Sequence, residues 1–139
     1  MNLPVEEIVR IIRDRYPDTI AIYLFGSQAE GATHGESDLD LAVLLPYTTA
    51  AKVDLVEWID LTQSIERCSE IDRVDLINLR RVDTVFRFQV VAKGNRIFCS
   101  DKSSADEFEI LTIALYQQLE FERKEIIEEG IRSGRFHHV

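Results

Sequence analysis

Two carboxylates separated by a single residue, Asp38-Leu39-Asp40, stand at the start of an apolar run that ends at Leu45. Residues two apart in a strand project from the same face, so in a strand these acids lie side by side and repel unless something positive sits between them. Hard oxygen ligands on one face suit Mg²⁺, which prefers one or two carboxylates plus substrate phosphates. Gly26-Ser27 precedes them, with ten residues between Ser27 and Asp38. Glycine lets the chain turn sharply and approach a ligand, and free amides at a helical turn bind anions. Ser27 as an ordinary turn serine is the competing reading. A third carboxylate would complete a two-metal site, in which one ion activates the attacking oxygen and the other neutralises the leaving pyrophosphate. Asp75 is the best candidate because it interrupts Val74, Leu76, Ile77 and Leu79, where an ionised group needs a metal or hydrogen bonds; Asp72 is the substitute.

The elements that must position these residues read as alternating helices and strands, an α/β (α+β) pattern. Val5, Ile8, Val9, Ile11 and Ile12 recur near the helical period and predict a helix to about Tyr16, broken by Pro17-Asp18. Ile20 to Phe25 reads as a buried strand, and Gly26 to Ser37 as a loop holding a short helical turn. Asp38 to Leu45 is a second strand. Its tail, apolar on both faces, belongs in the middle of a sheet. Ala50 to Arg67 predicts a helix, Arg73 to Leu79 a third strand, and Val82 to Lys93 a helix closed by a left-handed cap at Gly94. Arg96 to Cys99 fits a short extra strand. Ser104 with Glu107 forms a capping-box pattern before the stripe Phe108, Leu111, Leu115, Leu119, Ile126 and Ile127, so a last helix is expected over about 104–130, with a loose tail from Ser133.

With 139 residues, one domain spanning 1–139 is the expectation. Sixteen basic against 25 acidic residues give a net charge of −9, which repels a polyanion and disfavours a nucleic-acid substrate. No apolar run reaches the length of a signal h-region or a membrane span, and Cys68 and Cys99 are too few and too far apart for a disulfide framework. The expected setting is therefore cytoplasmic, with no membrane.

From Ile20 to Leu79, Gly26-Ser27, Asp38, Asp40 and Asp75 together resemble the signature of the polymerase-beta-type nucleotidyltransferases. The short chain resembles their minimal branch, the MNT antitoxins of HEPN/MNT toxin–antitoxin pairs. That resemblance implies a small mixed sheet flanked by helices, two Mg²⁺ ions and ATP as substrate. It also implies an antitoxin that transfers AMP to a tyrosine hydroxyl of a partner HEPN ribonuclease and so silences it. Gly26 and Ser27 would hold the triphosphate, Asp38 and Asp40 the metals, and Asp75 the nucleophile-side metal and the proton. Many relatives read Gly-Ser-x-Ala-Arg-Gly, whereas this chain reads Gly26-Ser27-Gln28-Ala29-Glu30-Gly31, with an acid where a base is usual.

Two competing functions follow from the same residues. One is an antitoxin of this fold that neutralises its partner by binding alone; the other is an adenylyltransferase of a small molecule such as an aminoglycoside. The chain has no room for a second, helical domain to close over a small acceptor, so a partner must supply the acceptor side. His34 falls in the loop, and His137 and His138 fall in the tail. Trp58 reads as core or interface rather than a base-stacking platform. Arg80 and Arg81 are open between steering phosphates or a partner and starting a helix in solvent, and Tyr116 and Phe121 between core and subunit contact.

Overall fold

The computed structural model of the protein describes residues 3–26 and 38–134, with the side chain of Asp38 outside that set. The expected helical turn between Gly26 and Ser37 therefore lies outside the described residues, as do Ser27, Glu30, His34, His137 and His138. Along the chain run α1 (Val5–Arg15), β1 (Ala21–Phe25), β2 (Asp38–Leu44), α2 (Tyr47–Ala51), α3 (Leu55–Ser69), β3 (Arg73–Asn78), α4 (Thr84–Lys93), β4 (Asn95–Cys99) and α5 (Lys102–Ser133).

The four strands form one mixed sheet in the order β3-β2-β1-β4. β2 lies between β1, which it meets antiparallel, and β3, which it meets parallel, while β4 runs antiparallel along the outer side of β1. A parallel neighbour needs a crossover, which α2 and α3 supply. β2 sits inside the sheet because its apolar residues serve both faces. Leu39, Leu41 and Val43 join Ile22, Val74 and Leu76 beneath Ile8, Ile12, Leu61 and Ile65 of α1 and α3. Ala42 and Leu44 join Ala21 and Tyr23 on the other face, under Val90 of α4 and Ala105 and Phe108 of α5.

Several boundaries differ from the sequence expectation, each for a local reason. The helix expected over 50–67 is two, because Asp54 caps a new start by accepting from the Glu57 amide at 3.4 Å. Gly94 is not left-handed but extended, at φ −84° and ψ 168°. A side chain there would bring Cβ to 2.5 Å from the Val90 carbonyl oxygen and 3.1 Å from that of Leu24, so the close approach of α4 to β1 selects glycine. Asp101, not Ser104, caps α5: its carboxylate accepts from the Ser104 amide at 3.1 Å and from the Ser104 hydroxyl at 2.8 Å. α5 also runs through Gly130 and stops at Gly134, whose φ of +72° ends it in the left-handed region.

α5 is 32 residues and about 48 Å long, and only Ala105, Phe108 and Thr112 are buried. Leu111, Leu115, Leu119, Ile126 and Ile127 continue the apolar stripe along α5 and stay exposed. Among the described residues no helix is long and apolar enough to cross a membrane.

Candidate active site

At the end of β1, Phe25 pairs with Asp40 across the antiparallel ladder, and Asp40 pairs with Asp75 across the parallel one. Partners in register on neighbouring strands, about 4.8 Å apart, point to the same face. The two carboxylates therefore stand side by side next to the position where β1 ends. Asp40 is half-buried and Asp75 exposed. The burial that its apolar neighbours suggested is not found, because β3 is an edge strand and leaves this position open to water. The register, not burial, brings it to the site.

Gly26 follows Phe25 with φ +75°, a conformation that L side chains adopt only with strain. A β-carbon on it would lie 2.1 Å from Asp40 Oδ2, so bare backbone is what lets the carboxylate nest against the turn. Asp38 begins β2, two residues before Asp40, and its backbone partner is Arg73. Leu39 and Leu41, both 0% exposed, lock β2 into the core on the opposite face. They fix the direction in which Asp40 points.

Supports converge on β1 from the same face of the sheet. Phe25 meets Phe86 of α4 edge to face, with centroids 5.8 Å apart. Tyr23, two residues earlier and 2% exposed, donates its hydroxyl to Glu109 of α5 at 2.6 Å. Arg96 of β4 donates to the same Glu109 oxygen at 2.8 Å and to Asp106 at 3.0 Å. Burial, then the Glu109 hydrogen bond, push the Tyr23 phenol well above the usual range. This network pins α5 to the strand that carries Gly26. Sequence reading missed it, because Tyr23 and Glu109 are far apart in the chain and only the fold joins them.

Other residues singled out in the sequence serve the scaffold. Trp58 donates Nε1–H to the Leu76 carbonyl at 2.9 Å and packs on Tyr16, which makes it core. Arg80 donates to the Leu45 carbonyl and lies 3.8 Å from the Tyr47 ring centroid, and burial lowers its pKa. Arg81 donates to the Ala51 carbonyl at 3.2 Å. Both arginines follow the far end of β3 from Asp75, so they bind carbonyls there and do not face the carboxylates. Tyr116 stacks on Phe88 at 3.8 Å, whereas Phe121 is exposed. Cys68 and Cys99 are free thiols.

Among the described residues no three acidic, histidine or cysteine side chains form a ready metal cage. Asp40 and Asp75 supply two hard oxygen donors on one face, and position 38 adds a third acid to the same strand. An open set of carboxylates beside a glycine turn fits a cation whose remaining ligands are water and phosphate, as Mg²⁺ prefers.

Comparison with known proteins gives the family of the chain. The family described as Polymerase beta, Nucleotidyltransferase matches residues 6–103. Protein adenylyltransferase MntA of Shewanella oneidensis is 36% identical over 128 residues, which covers 92% of this chain and 88% of that protein. A crystal structure of a toxin–antitoxin with AMP-PNP superposes with a TM-score of 0.78 at 34% identity, covering 93% of this chain and 99% of the other. The structure of tri-AMPylated Shewanella oneidensis HEPN toxin in complex with MNT antitoxin gives 0.68 at 32% identity, covering 91% and 95%. The row Gly26, Asp40, Asp75 thus lies inside the matched segment, and the chain belongs to the polymerase-beta-type nucleotidyltransferase family.

Proposed function

We propose that this protein is a Mg²⁺-dependent adenylyltransferase that moves AMP from ATP to a hydroxyl of a HEPN-type toxin and thereby acts as its antitoxin. The observation that carries the reading is the alignment of Gly26, Asp40 and Asp75 across three strands. Relatives support the acceptor: one similar protein is a protein adenylyltransferase, and one similar structure is an MNT antitoxin with its tri-AMPylated toxin.

In the proposed reaction the accepting oxygen, a tyrosine hydroxyl by the family resemblance, bonds to the α-phosphorus of ATP. The bond from that phosphorus to the β-bridging oxygen breaks, and pyrophosphate leaves. Gly26 and Ser27 hold the triphosphate with backbone amides, because the glycine keeps that turn clear of Asp40. Asp38, Asp40 and Asp75 would hold two Mg²⁺ ions, which would supply charge neutralisation at the phosphate oxygens and activation of the accepting hydroxyl. In this reading Asp75, exposed at the sheet edge, takes the hydroxyl proton. Leu39, Leu41 and the Tyr23–Glu109 contact keep the row rigid, and rigid positioning is most of what phosphoryl transfer asks of a protein.

Incubation with labelled ATP, Mg²⁺ and the product of the neighbouring reading frame tests this. Label on that product supports transfer. Tight association with no label would instead make the chain an antitoxin by binding alone, and label on an aminoglycoside without any protein acceptor would move it to small-molecule chemistry.

A further inference from the structure

From Gly26 to Asp40 the sequence carries the acids Glu30, Glu36, Asp38 and Asp40 and neither lysine nor arginine. A triphosphate on the Gly26 turn brings several negative charges to a segment that is already acidic, in a protein of net charge −9. A base from another element would offset that repulsion. Among the described residues most bases near the sheet are committed. Arg96 and Lys102 are held by Glu109 and Asp106. Arg80, Arg81 and Arg87 donate to carbonyls near the opposite end of β3 from Asp75. Arg73 has a partner as well.

Lys93, the last residue of α4, is exposed, and among the described residues its side chain has no hydrogen bond or ion pair. Its neighbour Gly94 is pressed onto β1: a β-carbon there would lie 3.1 Å from the Leu24 carbonyl oxygen and 3.3 Å from the Phe25 β-carbon. Phe25 leads directly into Gly26, so the Lys93 position lies within reach of the turn for a flexible four-carbon stem. Phe86 stands seven residues before Lys93, nearly two helical turns, and therefore on the same side of α4. Its ring packs on Phe25, so this is the side that α4 presents to the end of β1. The carbonyl end of a helix carries partial negative charge and would repel phosphate without a cation beside it.

We propose that Lys93 binds the β- and γ-phosphates of ATP on the Gly26 turn and supplies the base that the segment after β1 lacks. The proposal rests on the nucleotide site of the transferase reading above. An ammonium acts on phosphate as a point charge and needs no fixed fork. A lysine in the last turn also suits the helix dipole. That role alone would lower Tm on substitution and leave nucleotide affinity unchanged.

Calorimetric titration of the full chain with ATP and with AMP, both in Mg²⁺, tests this, beside transfer kinetics with the product of the neighbouring reading frame as acceptor. Wild type is run first. ATP binding without transfer sinks the transferase reading and leaves the Lys93 contact to be judged by affinity; no ATP binding overturns both. Lys93→Ala is expected to weaken ATP by about 10-fold or more, the usual worth of one charge-assisted contact, and AMP by less than about twofold, since AMP lacks the two outer phosphates. KM for ATP rises in step, while KM for the acceptor stays within about twofold of wild type. Lys93→Arg, which keeps the charge, stays within about threefold of wild type for ATP, and Lys93→Gln repeats the alanine result with most of the stem in place should the alanine variant fold poorly. Equal losses for ATP and AMP, unchanged affinity for both, or an arginine variant as weak as alanine overturns the proposal.

Discussion

Gly26 and Asp40 are packed so closely that a single added carbon would collide: a β-carbon on the glycine would stand 2.1 Å from the Asp40 carboxylate oxygen. The turn is also left-handed, at φ +75°. Gly26→Ala therefore combines backbone strain of about 1–2 kcal/mol with displacement of a proposed metal ligand. The expected outcome is a Tm lower by about 3–8 °C and AMP transfer reduced at least about 100-fold. Thermal denaturation and labelled transfer measure the two effects. Full transfer by the alanine variant would show that Asp40 does not need its nest.

Asp40 and Asp75 share one register position on adjacent strands. Two like charges about 5 Å apart in largely aqueous surroundings repel by roughly 1 kcal/mol. Without metal, Asp75→Asn is therefore expected to leave Tm unchanged or raise it by a few degrees. Mg²⁺ should raise the wild-type Tm by mass action and do little for Asp40→Asn or Asp75→Asn, while both variants lose transfer. Chelation should abolish wild-type activity, and restored Mg²⁺ should return it. Equal Mg²⁺ stabilisation of all three proteins would remove these carboxylates from the metal site.

How much of this was legible in the sequence follows from the range over which each signal acts. Asp38-Leu39-Asp40 and Gly26 carry their message locally, since strand alternation and glycine freedom need no distant partner. The central place of β2 was legible for the same reason: a run apolar on both faces has to be buried on both. Asp75 was singled out on apolar neighbours that suggested burial, but β3 is an edge strand, and what puts the residue opposite Asp40 is parallel pairing. The Gly94 cap failed because its backbone is extended and steric contact with Leu24 and Val90 chose the glycine. The Tyr23–Glu109–Arg96 network left no local mark, since its members meet only after β1, β4 and α5 have come together.

Tyr16 is 8% exposed, and its buried hydroxyl has no hydrogen-bond partner among the described residues, while its ring packs on Trp58. A buried hydroxyl without a partner loses its bonds to water and gains nothing in exchange. Tyr16→Phe keeps the ring contact and removes the orphan oxygen. The variant should be as stable as wild type or more stable by up to about 1 kcal/mol, a Tm increase of about 3–5 °C. A clear loss of stability in urea denaturation would mean that water serves the hydroxyl.

α5 is buried at Ala105, Phe108 and Thr112, and from Ile113 to Ser133 its large apolar residues are mostly exposed. Helices of this size draw most of their stability from packing. Amide exchange in the chain without a partner should therefore be slow through Thr112 and grow faster by at least about tenfold beyond Leu119, where only helical hydrogen bonds remain. Uniform protection along all of α5 would require a contact that covers the far half, such as association between copies, and its dependence on protein concentration would reveal it.

The Tyr23 phenol is held above its ordinary value, first by burial and then by its hydrogen bond to Glu109. In the unfolded chain tyrosine ionises near pH 10. A group whose folded pKa is raised lends stability that is complete below the unfolded value. As pH climbs past 10, the unfolded chain releases the proton while the folded protein keeps it, so stability falls by about 1.4 kcal/mol per pH unit for this one group. Tyr23→Phe removes that titration. At pH 7 the variant should be less stable by about 1–2 kcal/mol, because Glu109 loses one donor and keeps Arg96. Between pH 10 and 11 the gap should narrow by about 1 kcal/mol, leaving the smaller alkaline loss expected from Tyr16, whose pKa burial also raises. Urea denaturation at pH 7, 10 and 11 measures both differences. A gap that stays constant with pH would mean that Tyr23 ionises alike in the folded and unfolded chains.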